Sequence, residues 1–277
     1  MAYETLLLDI ADSGVATITL NRPEVLNSLN TTLLKELIDA VDTVEADNNV
    51  RSVIITGNGR GFCAGADLAE GGGSQEDAPS DPAKALIANG HRTEKSMKAL
   101  HNPLISKIWN LEKPVINAIN GVAAGGGMGL ALTADMVIAA RSAKFVCVFV
   151  PQLSILPDMG ATWHLERLLG PARAMGVAML GDKIPADQAK EWGMIWDVVE
   201  DDDLMPTATA LAERLADGPT RTYPKLRRAL QAADTNNLDA QLRLEAEAQG
   251  VLTGTAEMRE GVIAFLQKRK PNFKDIA

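Results

Sequence analysis

The stretch NGVAAGGGMGLALTAD, residues 120–135, places three consecutive glycines where an apolar helix is about to begin. The preceding segment PVINAIN (114–120) has the pattern of a short apolar strand. Glycine has no Cβ, so a ligand or another backbone can approach closely. The first amide groups of the helix lack intrahelical partners and lie at the positive end of its dipole, which suits a developing negative oxygen. Tight packing of the helix against a sheet explains the same glycines, and for this stretch alone it is the stronger explanation.

A second stretch has the same organisation. GRGFCAGADLAE (59–70) follows the strand pattern SVIITG (52–57), and it places Ala64, Gly65 and Ala66 before a predicted helix that Asp67 would cap. Two junctions of this kind supply two amides for one carbonyl oxygen, which is the arrangement of an oxyanion hole.

Strand and helix patterns alternate over the first 200 residues, and helical patterns follow. The predicted strands are TLLLDI (5–10), VATITL (15–20), SVIITG (52–57), PVINAIN (114–120), MVIAA (136–140), FVCVFV (145–150) and WDVVE (196–200). A helix is predicted over 31–47, capped by Thr31 or Thr32. The polar segment 70–83 is typical of a surface loop, and Pro103 is expected to interrupt a helical stretch over 84–111.

Composition excludes several classes of function. The chain has 277 residues, 46% of them hydrophobic, which allows one large domain or one domain with an appendage. Its 27 basic and 36 acidic residues give a net charge of −9, so general attraction to nucleic acid or to an anionic membrane is not expected. The opening MAYETLLLDI lacks a signal-peptide pattern and no apolar run is long enough to span a membrane, which predicts a cytoplasmic protein. Two cysteines and three scattered histidines predict neither a disulfide framework, a metal site nor a histidine-based triad.

Five motifs, in order along the chain, resemble the enoyl-CoA hydratase/isomerase (crotonase) superfamily. They are NRPEVLNSLN, GFCAGADL, NGVAAGGGMGLALTAD, LGDKIPADQAKEWGMIWDVV and REGVIAFLQKRKPNF. Within it, ARSAKFVCVFVPQLSILPDMGATWHLERLLG is most similar to the ring-1,2-epoxyphenylacetyl-CoA isomerases. The resemblance implies an α/β fold: a spiral of repeated ββα units over residues 1–200 and a helical C-terminal trimerisation region over 201–277. It also implies a homotrimer or a dimer of trimers.

The resemblance further implies that an acyl-CoA thioester is the substrate. Coenzyme A is then part of the substrate, and no separate cofactor, metal, nucleic acid or membrane partner is expected. By this analogy the amides of Ala64 and Gly126 hold the thioester oxygen. The implied substrate and CoA contacts are Glu24, Val25, Leu26, Ala64, Gly65, Ala66, Asp67, Leu68, Gly125, Gly126, Trp163, Phe265 and Lys268. Phe265 and Lys268 are expected near the adenine and ribose phosphate, often of a neighbouring subunit, although Lys268 is equally typical of a solvated helix end.

The chain differs from the hydratases of this superfamily in its candidate acid–base residues. Hydratases of this superfamily use two glutamates; one position is Gly129 here, and the region of the other, FVCVFVPQLSILPD (145–158), contains none. Asp158 is the remaining carboxylate, with helix capping as its alternative role. Burial among Leu156, Met159 and Trp163 would raise its proton affinity toward the working pH.

One carboxylate beside a polarised thioester is sufficient for a double-bond shift, because the enolate is stabilised and the same base can return the proton to another carbon. The sequence therefore predicts an acyl-CoA isomerase that shifts a double bond or rearranges a ring epoxide, with Asp158, Ala64 and Gly126 as its catalytic residues. Three alternatives remain at this point: an enoyl-CoA hydratase of fatty-acid or aromatic-acid breakdown, a hydrolytic or dehalogenating enzyme with Asp158 as nucleophile, and an inactive CoA-binding subunit.

Overall fold

The computed structural model describes residues 3–70, 81–274 and 276. The strands are β1 (Leu6–Ile10), β2 (Val15–Leu20), β3 (Ser52–Gly57), β4 (Gly61–Cys63), β5 (Val115–Ile119), β6 (Val122–Ala124), β7 (Met136–Ala140), β8 (Lys144–Val146), β9 (Lys183–Pro185) and β10 (Asp197–Val199). The helices are α1 (Thr31–Ala46), α2 (Pro82–Ser96), α3 (Asn102–Asn110), α4 (Gly126–Leu132), α5 (Ala161–Leu180), α6 (Ala186–Glu191), α7 (Leu204–Ala216), α8 (Tyr223–Ala233), α9 (Leu238–Leu252) and α10 (Ala256–Leu266). Shorter 3-10 turns cover Pro23–Val25 and Asp201–Asp203, and π-helical turns cover Met97–His101 and Phe149–Leu153.

The strands form two sheets that the chain visits alternately. The larger sheet has the order β1-β2-β3-β5-β7-β10, and the smaller has the order β4-β6-β8-β9. The pairs β3/β4, β5/β6 and β7/β8 each place their first strand in the larger sheet and their second in the smaller. All pairings are parallel except β1 with β2 and β8 with β9. This repetition confirms the predicted spiral of ββα units, and it brings the ends of β4 and β6 side by side.

The core lies around the central parallel strands. β5 is buried at every residue and β3 at every residue but its last, as expected for parallel strands covered by helices. Helix α7 packs against this sheet through Ala208, Ala212 and Ala216, each with no exposed surface. Small residues four apart let the helix approach closely, and Ser52 Oγ donates a hydrogen bond of 2.9 Å to the carbonyl of Ala212. The division at residue 200 stays a prediction.

Several local predictions were wrong. Asn30, rather than Thr31 or Thr32, caps α1, with its Oδ1 accepting from the Leu33 amide at 2.8 Å. The predicted strand over 145–150 ends at Val146, because its partner β6 ends where α4 begins and the Gly125 amide donates to the Val146 carbonyl at 3.0 Å. A π-helical turn then occupies Phe149–Leu153. The sheet partner, not the apolar character of the run, decides where this strand ends.

Two further predictions concern the segment between β4 and β5. Pro103 does not end the helical stretch: it is the second residue of α3, directly after a π-helical turn. The π-helical turn Met97–His101 joins α2 directly to α3. Most of the predicted loop over 70–83 lies outside the described residues. Among the described helices, none has both the length and the apolar character required to cross a membrane.

Candidate active site

The two strand-to-helix junctions meet in the structure. Gly65 has a φ of +94°, and a Cβ added there would lie 2.9 Å from the Ala124 carbonyl oxygen and 3.3 Å from the Gly126 nitrogen. Only glycine adopts this conformation at low cost and allows the second junction to come so close. The predicted convergence of the two junctions is therefore present.

The glycines of the run 125–127 do not share one role. A Cβ on Gly127 would lie 2.1 Å from the carbonyl oxygen of Cys63, so Gly127 allows α4 to pack tightly against β4. Gly126 instead lines a cavity, and its amide, the first of α4, has no acceptor in the described part of the chain. The sequence offered tight packing and close approach of a ligand as alternatives. In the structure, Gly127 allows tight packing and Gly126 lines a cavity.

The amide on the other junction is not the expected one. The Ala64 amide donates to the Leu26 carbonyl at 2.9 Å, so the prediction that it holds the thioester oxygen was wrong. The Leu26 residue has a left-handed φ of 53°, at the turn that carries its carbonyl to this strand end. The Gly65 amide donates to the sulfur of Cys63. The Ala66 amide has no acceptor within residues 3–70 and 81–274, so on this junction it is the amide that remains unpaired.

A cavity of about 290 Å³ lies between the junctions. It is lined by Leu29, Ala64, Gly65, Ala66, Leu68, His101, Gly125, Gly126, Val148, Phe149, Gln152, Leu153, Ile155, Asp158 and Met159. Among the described residues, Asp158 is the one acidic side chain in this lining. Its Oδ1 lies 3.4 Å from the position that a Cβ on Gly126 would take, so the carboxylate lies next to the first residue of α4.

The Asp158 side chain does not cap a helix. Helix α5 has Gly160 at its N-cap and no side-chain cap, while the backbone carbonyl of Asp158 accepts from the Ala161 amide at 2.9 Å. Asp158 Oδ1 is buried without a hydrogen-bond partner among the described residues. Capping, the alternative role for this residue, is therefore not the one that the structure shows.

Burial controls the charge of Asp158. Removal of the carboxylate from water raises its pKa, while the charge of His101, across the same cavity, acts in the opposite direction. The residues that bury it differ from those expected: Met159 is 2% exposed, but Leu156 is 76% exposed and Trp163 lines a neighbouring cavity. The result is a carboxyl group whose basicity is increased by its surroundings.

We expect Asp158→Asn to stabilise the fold at neutral pH. Because the native pKa of Asp158 is raised, the native state holds its proton more tightly than the unfolded chain, and stability is lost as the pH rises through the native pKa. The amide carries no charge, so the variant should gain on the order of 1 kcal/mol at pH 7–8. This gain should vanish below the ordinary aspartate pKa of about 3.9. Urea unfolding at several pH values measures it, with Glu166→Gln, an exposed carboxylate on α5, as control; a lower stability of Asp158→Asn at pH 8 would contradict it.

A second cavity, of about 370 Å³, adjoins the first across the side chain of Met159. It is lined by Asn102, Ile105, Ser106, Trp109, Met159, Gly160, Trp163 and His164. The rings of Trp109 and Trp163 meet edge to face with centroids 4.8 Å apart. Burial lowers the pKa of His164 to about 4, so this imidazole is neutral at physiological pH. Trp163 thus lines the second cavity and not the first cavity, which Asp158 lines.

Of the remaining predicted loop residues, Leu68 lines the first cavity, whereas Glu24, Val25, Leu26 and Asp67 are not among its lining residues. Glu24 and Val25 form the 3-10 turn next to Leu26, and Leu68, at the cavity wall, is 73% exposed. Asp67 does not begin a helix directly: Leu68–Glu70 form a turn, and the Asp67 carboxylate pairs with Arg22 at 2.9 Å. That hydrogen-bonded arginine lowers the pKa of Asp67.

The C-terminal residues lie apart from this cavity. Phe265 is 82% exposed and lines a groove on α10 together with Met258 and Val262. Lys268, just beyond α10, has a left-handed φ of 52°. Their expected contact with the CoA of a neighbouring subunit stays a prediction. No group of three or more His, Cys, Asp and Glu within residues 3–70 and 81–274 is placed to hold a metal ion.

His101 is the titratable residue of the cavity lining that sequence reasoning missed, and Gln152 is a further polar residue there. It lies 57 residues before Asp158 in the chain, since 158 − 101 = 57, and no spacing pattern connects the two. The π-helical turn that ends at His101 and the folding of α3 beside Asp158 bring them to one cavity. A lone histidine in a helical segment carries no signal of that placement.

Comparison with known proteins gives the same family throughout. The sequence model of the enoyl-CoA hydratase/isomerase family matches residues 11–276. The 1,2-epoxyphenylacetyl-CoA isomerase of Escherichia coli K12 is 48% identical over 267 residues, which cover 96% of this chain and 97% of the relative. The crotonyl-CoA hydratase of Syntrophomonas wolfei is 35% identical over 274 residues, 99% of both chains. The crystal structure of an enoyl-CoA hydratase from Bacillus anthracis superposes with a TM-score of 0.87 at 33% identity, covering 98% of this chain and 99% of that one. Relatives of both reaction types are thus similar along the full length.

Proposed function

This chain belongs to the enoyl-CoA hydratase/isomerase family, and we propose that within it the protein is an acyl-CoA isomerase that shifts a double bond or rearranges a ring epoxide. The observation that carries the proposal is the placement of Asp158. Among the residues that the structure describes, it is the one carboxylate in a cavity that also presents the amides of Ala66 and Gly126, neither of which has a described acceptor. Such a cavity supplies two hydrogen-bond donors for a thioester oxygen and one base for a proton on a neighbouring carbon.

The proposed reaction uses these groups in two steps. The thioester oxygen accepts hydrogen bonds from the amides of Ala66 and Gly126, and the Asp158 carboxylate removes a proton from the acyl chain. The electron pair of the broken C–H bond moves into the thioester and forms an enolate, whose charge the amides and the positive end of α4 stabilise. Return of the proton to a different carbon moves the double bond. Protons and electrons balance, and no water enters the product.

The space at Gly129 supports isomerisation over hydration. A Cβ on Gly129 would lie 2.5 Å from the Met159 carbonyl oxygen and 3.0 Å from that of Asp158. Because these are backbone atoms, a glutamate at this position would require the segment that carries Asp158 to move. The site therefore holds its carboxylate at Asp158 and leaves no room for the glutamate that a hydratase would place at 129.

The second cavity supports an acyl group larger than a short chain. Met159 separates the two cavities, and the wall beyond it consists mainly of apolar and aromatic groups, including Trp109 and Trp163. We place the distal part of the acyl group there, which agrees with the ring-containing substrate in the name of the Escherichia coli relative. The proposal also includes a homotrimer or dimer of trimers in the cytoplasm, CoA contacts from Phe265 and Lys268 of a neighbouring subunit, and no cofactor apart from the CoA of the substrate.

A panel of CoA thioesters tests the proposed reaction. Incubated with a 3-enoyl-CoA, the protein should produce the conjugated 2-enoyl-CoA, seen as a gain in enoyl-thioester absorbance, while crotonyl-CoA should lose none of its absorbance. Asp158→Asn should abolish the gain. Rapid, Asp158-dependent loss of the crotonyl-CoA signal would show a hydratase instead. A covalent aspartyl ester trapped with an aroyl-CoA would show nucleophilic chemistry, and CoA binding without turnover of any thioester would show an inactive subunit.

A further inference from the structure

The imidazole of His101 lines the cavity that Asp158 and the two free amides also line. It is half-buried and lies at the end of the π-helical turn Met97–His101, where the Asn102 amide reaches back to the Met97 carbonyl. Such a turn adds a residue to the helical register and changes the direction in which a side chain points; it is frequent at functional sites. The turn and the cavity together set His101 apart from His91 on α2, which is exposed and does not line the cavity.

The two ring nitrogens of His101 have different surroundings. Nδ1 lies 3.4 Å from the Ser96 carbonyl oxygen, which accepts only, so the proton belongs on this nitrogen. Nε2 has no partner in the described part of the chain and is left to accept or donate a proton. Asp158 Oδ1 is likewise unpartnered and buried. Both residues line the same cavity, and each has a polar atom whose hydrogen-bonding capacity no described residue uses.

Electrostatics connects the two groups. A positive charge on His101 lowers the pKa of Asp158, against the larger effect of burial, so the imidazolium favours the ionised carboxylate. A carboxylate at Asp158 can act as a base, and an imidazolium at His101 can act as an acid. This is the division of roles that two titratable groups in one cavity permit.

We propose that His101 is a second proton-transfer group, which donates from Nε2 to the carbon that receives the proton while Asp158 removes one from the other carbon. The inference rests on the proposed isomerisation. Asp158 gains the proton of the broken C–H bond, and the imidazolium loses its Nε2 proton to the new C–H bond. The proton on Asp158 then passes to the neutral imidazole, directly or through water, which restores both groups. No proton is consumed overall, and the proton delivered to the product is one that exchanges with solvent.

Incorporation of deuterium from the solvent distinguishes proton transfer by Asp158 alone from proton transfer by Asp158 and His101 together. If Asp158 alone moved the proton, much of the substrate hydrogen would be returned to the product; if His101 donates, the product carries solvent deuterium. In D2O, at low conversion of a 3-enoyl-CoA, we expect one deuterium in most product molecules from the wild-type protein. His101→Gln should retain the substrate hydrogen in most turnovers, and its kcat should fall about 10- to 100-fold with KM little changed, since general acid catalysis contributes at least that much. His91→Gln is the matched control and should behave as wild type.

These experiments separate a failure of the role of His101 from a failure of the proposed function. Equal deuterium uptake by wild type and a folded His101→Gln, or no uptake by wild type, would overturn the role of His101. Failure of the wild type to shift any double bond would overturn the proposed function instead. In that case the exchange of α-hydrogens of phenylacetyl-CoA in D2O, which requires only enolate formation, still measures His101: slower exchange in His101→Gln supports it as a proton-transfer group, and an unchanged rate rejects it. Thermal unfolding of each variant confirms that the fold is retained.

Discussion

We expect Asp158→Asn to lower the kcat of the proposed double-bond shift by about 10³-fold, within the range that general acid–base catalysis contributes. The side chain keeps its size, but an amide oxygen is too weak a base to remove a carbon-bound proton. The amides of Ala66 and Gly126 remain in place, so the thioester should still bind and the effect should fall on kcat rather than KM. Steady-state kinetics on a 3-enoyl-CoA, with product identified by mass spectrometry, gives both constants.

The matched control for this variant is Glu166→Gln. Glu166 lies on α5, two turns after Asp158, but its carboxylate is exposed and does not line the cavity. The same loss of charge should leave kcat unchanged there. If Asp158→Asn kept more than about a tenth of the wild-type kcat, a loss well below that of a removed general base, proton removal would have to be assigned to another group.

Asp158→Asn is expected to increase the stability of the fold although it lowers kcat. A carboxylate with a buried, unpartnered oxygen destabilises the native state at neutral pH, and this cost is what makes it a stronger base. Sites that need strained or poorly solvated groups commonly lose stability in this way. A variant that is more stable at pH 8 and nearly inactive would link the two effects to one carboxyl group.

Local patterns were sufficient to predict the elements that carry the site. The strands β1 and β2 were predicted within one residue, and the glycines before α4 indicated a junction open to a ligand. The absence of glutamate from 129 and from 145–158 pointed to Asp158, which the structure places in the cavity. These features depend on periodicity and on the special properties of glycine, both of which are visible in a short window of sequence.

Long-range geometry could not be predicted in the same way. Whether Ala64 or Ala66 offers a free amide depends on the Leu26 carbonyl, which lies 64 − 26 = 38 residues from Ala64 and accepts its hydrogen bond. His101 enters the cavity through a π-helical turn, which no spacing pattern in its own segment indicates. In both cases the decisive partner is distant in the chain, so each residue looks ordinary in its own segment.

Gly65→Ala separates the two junctions and should lower kcat by about 10²-fold, similar to the loss of one oxyanion donor. The new methyl group would lie 2.9 Å from the Ala124 carbonyl oxygen and 3.3 Å from the Gly126 nitrogen, both of them backbone atoms. The φ of +94° is also unfavourable for alanine, which adds a stability cost of about 1–3 kcal/mol. The backbone must shift by a few tenths of an ångström, and the amides of Ala66 and Gly126 then no longer converge on one oxygen.

Activity must be separated from stability in this variant, and Gly176→Ala provides the comparison. Gly176 lies within α5, and a Cβ there would meet nothing within 4 Å, so alanine should stabilise the helix by about 0.5–1 kcal/mol without changing kcat. Assays well below the unfolding temperature of Gly65→Ala, checked by circular dichroism, measure the folded enzyme alone. A folded Gly65→Ala with wild-type kcat would show that the close approach of the two junctions is a packing feature and that the thioester oxygen is held elsewhere. Alternatively, kcat could fall while the variant still exchanges α-hydrogens slowly. That result would show that the base is intact and that stabilisation of the enolate is reduced, and it would assign the loss of kcat to the paired amides.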